Sequence, residues 1–189
     1  MRAALRLAEA LSRVVTAIGR VAAWLAVAMM IVILTDVILR RYFVIGSTKL
    51  QELEWHLHGV LFLFCLGFAY VKGAHVRIEL VRERLSAEAR AWLELAGTLL
   101  FLLPYCAAIL YFGFDYAEMA YRNQEVSASL TGLGARWAIK STLVVGFALL
   151  GLAGVAAALK AAVFLFGPAE LAGRTGYAAH ESDKTVLGG

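Results

Sequence analysis

Ser141-Thr142-Leu143-Val144-Val145-Gly146-Phe147-Ala148-Leu149-Leu150-Gly151-Leu152-Ala153-Gly154-Val155-Ala156-Ala157-Ala158-Leu159 runs without a charged residue. A bilayer-spanning helix takes about 20 predominantly apolar residues, so this run is long enough to cross the hydrocarbon core. It contains no proline and none of the apolar–polar alternation of a membrane strand. In hydrocarbon only a helix or a closed barrel satisfies its own backbone polar groups. The run is therefore the centre of a transmembrane helix from about 138 to 166. Working outward, further windows qualify at about 21–39, interrupted only by Asp36, and at about 53–71, entered through Glu54, His56 and His58. Another lies at about 91–116, uncharged from Leu95 to Phe114.

Composition agrees. Of 189 residues, 61% are hydrophobic and 17% charged, against about 45–50% and about 25% in soluble domains. The chain is expected to be an all-α integral membrane protein with four transmembrane helices, short interfacial amphipathic helices and both termini cytoplasmic. Cys65 and Cys106 lie in apolar stretches without Cys-x-x-Cys spacing and read as buried small hydrophobes. The net charge of +4 comes from basic residues flanking apolar segments, which argues against a nucleic-acid partner. The first span is too long for a signal peptide and leaves through Asp36-Val37-Ile38-Leu39-Arg40-Arg41, so it is a retained anchor.

Trp24, Trp55, Trp92 and Trp137 fall one per segment, near its N-terminal edge, where indoles act as membrane-interface anchors. With the N-terminus inside, twelve lysines and arginines face the cytoplasm and six face outward, the bias that sets orientation. Residues 1–20, with Leu5, Leu11, Val15 and Ile18 on one stripe, form a cytoplasmic amphipathic segment that lies on the anionic membrane surface or extends the first span. Residues 21–166 form the membrane domain, and the Gly/Ala-rich residues 167–189 a flexible tail.

Thr48 and Gln51 have capping-box spacing ahead of the second span. Glu52 and His56, like Glu54 and His58, are four apart, but the pairs divide between two helix faces and make a poor metal site. Ser86 is placed to cap the third helix, with Glu88 in its first turn. The central stretches of all four spans lack ionisable groups, which a chain moving ions by itself usually needs. Asp36 lies near the outer end, four residues before Arg40, and Glu94 near the inner mouth of the third span. Pro104 is a single kink candidate. The histidines are too shallow to ligate haem, and no nucleophile–base pair presents itself, so the chain is not read as an enzyme. At 1.5 Å per residue the third and fourth segments reach roughly 39 and 43 Å, which implies tilt across about 30 Å of hydrocarbon. Small residues in the fourth span, among them Gly146, Gly151 and Gly154, permit close helix packing.

Three stretches in order carry a family resemblance: Asp36-Val37-Ile38-Leu39-Arg40-Arg41-Tyr42-Phe43; Glu52-Leu53-Glu54-Trp55 followed by Gly73-Ala74-His75-Val76-Arg77-Ile78; and Glu125-Val126-Ser127 with Gly132-Leu133, Arg136-Trp137, Lys140 and Gly146-Phe147. Over about 36–154 the chain resembles the small membrane subunit (the Q, or DctQ-like, component) of tripartite ATP-independent periplasmic (TRAP) transporters. One departure is Gly134, where members often carry proline after Gly-Leu.

The resemblance implies a non-catalytic small permease subunit in a bacterial inner membrane. It would brace the large multi-span membrane subunit of a sodium-coupled importer of organic acids, served by a periplasmic substrate-binding protein. The resemblance places sodium and substrate in the large subunit. Catalytic, metal and substrate-binding residues are expected to be absent from this chain, as are cofactors; membrane lipids are expected partners and nucleic acid is not. Glu54, His75, Arg77, Glu125, Ser127, Arg136, Trp137 and Lys140 are the candidates for shaping the loops or meeting a partner. Two other readings stay open: a stand-alone homodimeric transporter using Asp36 or Glu94, and a haem-bearing oxidoreductase subunit.

Overall fold

The computed structural model describes residues 1–74 and 85–177. These residues hold helices and connecting turns and no strand. The order is α1 (Arg2–Ala23), α2 (Leu25–Tyr42), α3 (Thr48–Val71), α4 (Ala87–Gly97), a π-helical turn (Thr98–Leu102), α5 (Leu103–Arg122), α6 (Arg136–Phe166) and the short α7 (Ala169–Ala172). Four helical runs, Arg2–Tyr42, Thr48–Val71, Ala87–Arg122 and Arg136–Phe166, are long and apolar enough to cross a membrane.

α6 is the axis of the bundle, packed against α1, α3, α4 and α5, whereas α2 lies outside, mainly on α3. Glycine sets the α3–α6 distance. A Cβ on Gly146 would stand 2.7 Å from Leu63 Cβ, and one on Gly67 would stand 2.7 Å from the Leu149 carbonyl oxygen. Small residues at membrane helix interfaces allow this approach, and van der Waals contact then supplies the attraction.

Of the two readings of residues 1–20, the structure shows the helix that runs on into the first span. Leu5, Ala8, Ser12, Val15, Gly19 and Ala22 are its buried residues, spaced alternately by three and four, so they share one helix face. That face docks along α3 and α6. Val15 packs with Leu149 and Ala153, and Leu5 with Val163 and Leu171. Only a single-residue irregularity at Trp24 separates α1 from α2, so α1 prolongs the first span. The apolar stripe shares only Leu5 and Val15 with this seam, because the seam's other members are small or polar. A seven-residue recurrence in the sequence carries it: Arg6, Arg13 and Arg20 are each followed by an outward apolar residue, Leu7, Val14 and Val21, and then by the buried Ala8, Val15 and Ala22.

The chain after Phe166 does not begin as a free tail. Leu171 is buried with Leu5 and Val163, and Arg174 pairs with Glu9 at 3.0 Å. These contacts bring the N-terminal helix and residues 167–177 to the same end of the bundle; residues 178–189 lie outside the described set.

Local signals explain the helix ends. Ser86 caps α4 as expected, its Oγ accepting from Ala89 N at 3.2 Å. The cap of α3 is Ser47, accepting from Leu50 N at 3.4 Å, one residue earlier than the expected box. Thr48 thereby enters the helix with its hydroxyl free for another partner. Pro104 follows the π-helical turn, in which Leu103 N bonds to Thr98 O. Proline lacks an N–H and its ring crowds the carbonyl four residues back, and a widened turn removes that conflict.

Candidate functional site

The end of the bundle opposite the termini carries the connection from α5 to α6, and it is held at nearly every turn. α5 ends in a Schellman arrangement: Gln124 takes a left-handed φ of 47°, Gln124 N donates to Tyr121 O at 3.1 Å and Glu125 N to Ala120 O at 3.0 Å. The loop then closes on itself. Arg136 N donates to Glu125 O at 3.1 Å and Ser127 N to Leu133 O at 3.2 Å. Ala135, at φ 54°, supplies the second left-handed residue, at the start of α6. Gly134 is outside the left-handed region, so this position needs no special φ.

Glu52, in the second turn of α3, is the hub. Its Oε1 accepts the Ser127 hydroxyl proton and its Oε2 accepts Leu133 N–H at 2.6 Å. Ser127 Oγ also accepts from Ser129 N at 3.0 Å. The Thr48 hydroxyl released by the cap shift accepts from Thr131 Oγ1 at 3.2 Å. Gly132 lies against this node: a Cβ there would clash with Ser127 and come within 2.8 Å of Glu52 Oε1. Arg136 and His56 both act on Glu52 electrostatically.

A second tie runs to α6. The Glu125 carboxylate pairs with Lys140, and the Lys140 ammonium sits 3.9 Å from the centre of the Tyr116 ring. That geometry adds a cation–π attraction. Trp137 meets Tyr121 edge-on at 5.5 Å. The loop thus joins α3, α5 and α6 while presenting Val126 and Leu130 outward, Leu130 fully exposed.

Of the candidates named from sequence, Glu125, Ser127, Arg136, Trp137 and Lys140 come together here. Glu54 does not join the hydrogen-bond network; its Oε1 is buried without a hydrogen-bond partner. Glu52 and Glu54 stand about 200° apart around the helix, so one alone can face the loop, and sequence does not say which. His75 and Arg77 lie outside the described residues. Trp24 and Trp55 point outward from their helices, and Trp92 meets Phe166 edge-on at 5.6 Å. Asp36 is buried and pairs with Arg40. Glu94 accepts from the Tyr70 hydroxyl at 2.7 Å, and that hydroxyl also lies 3.2 Å from Thr98 Oγ1. Among the described residues no group of three His, Cys, Asp or Glu is arranged to hold a metal.

Four long apolar helical runs, a close-packed centre and an ordered polar loop at one end define a multi-pass helical membrane protein. Residues 29–164 match the family described as tripartite ATP-independent periplasmic transporters, DctQ component. The chain belongs to that family and is a small permease component of such a transporter. No curated protein and no solved structure matches it.

Proposed function

We propose that this subunit is the fixed, non-catalytic brace of the large membrane subunit in a sodium-coupled, binding-protein-dependent importer of carboxylates. It sits in a bacterial inner membrane with both termini cytoplasmic. The observation that supports this best is the middle of the bundle. α3 and α6 meet there so closely that Gly67 and Gly146 have no room for a methyl group, while Asp36 Oδ2 pairs with Arg40 one turn away and Glu94 accepts from Tyr70 of α3. A solute path needs polar atoms at mid-depth, and a wall does not. In this reading the Glu52–Ser127–Leu133 node and the Glu125–Lys140 pair fix an outer platform for the secreted binding protein or the large subunit.

Affinity purification of this chain from its native membrane in mild detergent tests the role. One much larger multi-span protein should come with it, and alanine at Glu52 or Glu125 should lower its recovery. A chain that emerges alone refutes the brace. A second reading, a stand-alone transporter, draws on Asp36 Oδ1, buried without a hydrogen-bond partner. Solute flux in liposomes holding this chain alone, abolished by Asp36→Asn or Glu94→Gln, would establish it instead.

A further inference from the structure

Where α3 ends, a cavity of about 360 Å³ opens between α1, α3, α4, α6 and residues 175–177. Ser12, Tyr70, Lys72, Glu94, Lys160 and Thr175 supply its polar lining. Its charges do not cancel. Among the described residues that line it, Glu94 is the one carboxylate and already accepts from Tyr70, whereas Lys72 and Lys160 form no ion pair with a described residue. Ser12, which lines the same cavity, is buried and its hydroxyl has no hydrogen-bond partner. A buried hydroxyl left unpaired costs stability, so it calls for a ligand or water.

An apolar groove of about 560 Å³ adjoins the cavity, sharing Tyr70 and Glu94 with it and running along Leu93, Phe101, Leu102 and Tyr105. A cationic cup and an apolar channel with a common wall match a molecule that is anionic at one end and a hydrocarbon at the other. Basic pockets between membrane helices bind lipid headgroups in this way.

We propose that the cup takes the phosphate of an anionic phospholipid, held by Lys72, Lys160 and the Ser12 hydroxyl, with an acyl chain laid along the groove. The site is independent of the transport role. Its occupancy would tie α1 and residues 175–177 to the ends of α3 and α6.

Native mass spectrometry of the full chain in mild detergent tests it, with phosphatidylglycerol, phosphatidylcholine and inorganic phosphate as probes. Wild type should retain phosphatidylglycerol in preference to phosphatidylcholine. Lys72→Gln/Lys160→Gln should lower that retention roughly tenfold, as loss of a charge-assisted hydrogen bond implies. Ser12→Ala should lower it less, without changing thermal unfolding in lipid-free detergent. If Lys160→Gln fails to fold, Lys72→Gln alone, at an exposed helix end, carries the comparison. Equal retention by wild type and the lysine variants overturns the site. Displacement of phosphatidylglycerol by inorganic phosphate at equal concentration overturns the lipid as its occupant.

Discussion

Alanine at Gly146 should loosen the seam between α3 and α6. The added Cβ would stand 2.7 Å from Leu63 Cβ and 2.9 Å from the Leu63 carbonyl oxygen. Carbon atoms pack at about 3.5–4.0 Å, so the two helices must part by roughly 1 Å. Backbone atoms on one side cannot turn away as a flexible side chain can. Overpacking a filled interior costs about 1–3 kcal/mol, and the helix propensity of alanine over glycine returns up to about 1 kcal/mol. The net loss is about 1–2 kcal/mol, roughly five- to thirtyfold in the folded population. Gly97→Ala is the matched control, since a Cβ there meets nothing within 4 Å, and only the propensity gain of up to about 1 kcal/mol applies. Circular dichroism followed through an SDS titration of the purified chain reads both. The same chemical change should move the midpoint in opposite directions at the two sites. A Gly146→Ala protein as stable as wild type refutes the close-packed centre.

Glu52→Ala should speed amide exchange across residues 126–134 while Glu54→Ala leaves it unchanged, as measured by hydrogen–deuterium exchange; equal effects would remove Glu52 as the hub. Gln124→Gly and Ala135→Gly should each stabilise the loop by about 1 kcal/mol, because each relieves a left-handed residue, and a lowered unfolding midpoint for either contradicts the turn. Gly132→Ala should mimic Glu52→Ala in the exchange experiment, since its methyl group occupies the space of the Ser127–Glu52 contact. Gly134→Ala meets open space at a φ outside the left-handed region and should gain about 0.4–1 kcal/mol through the unfolded chain; a loss measured in the same titration would contradict that geometry.

Uninterrupted hydrophobicity made the four spans legible, because burying that many apolar side chains in lipid leaves one solution for the backbone. Caps read nearly as well: Ser86 was placeable from its chemistry alone, while Ser47 and Thr48, adjacent hydroxyls, compete for one cap that only geometry decides. The packing of α1 was hidden for a different reason. Its seam is built from Ala8, Ser12, Gly19 and Ala22 among larger residues, and a search for large apolar side chains passes over the small ones that bring helices together. The loop candidates Glu125, Ser127 and Lys140 lie in one of the stretches that carry the family resemblance. Glu52 was not among the candidates, because its partner Ser127 is 75 residues away and nothing local distinguishes it from Glu54.

The widened turn before Pro104 also keeps the two halves of its helix in phase. Thr98 and Cys106 both face the bundle interior, yet they are eight positions apart. At 100° per residue an unbroken α-helix would swing Cys106 about 80° off the Thr98 face. Absorbing one residue brings the offset back to roughly 20°, and Gly113, Ala117 and Ala120 inherit the corrected bearing. This segment can therefore act as a length buffer. Deleting a single residue between 98 and 102 should convert it to ordinary helix with both faces still aligned, whereas the same deletion between Cys106 and Gly113 would rotate every later contact away from α6.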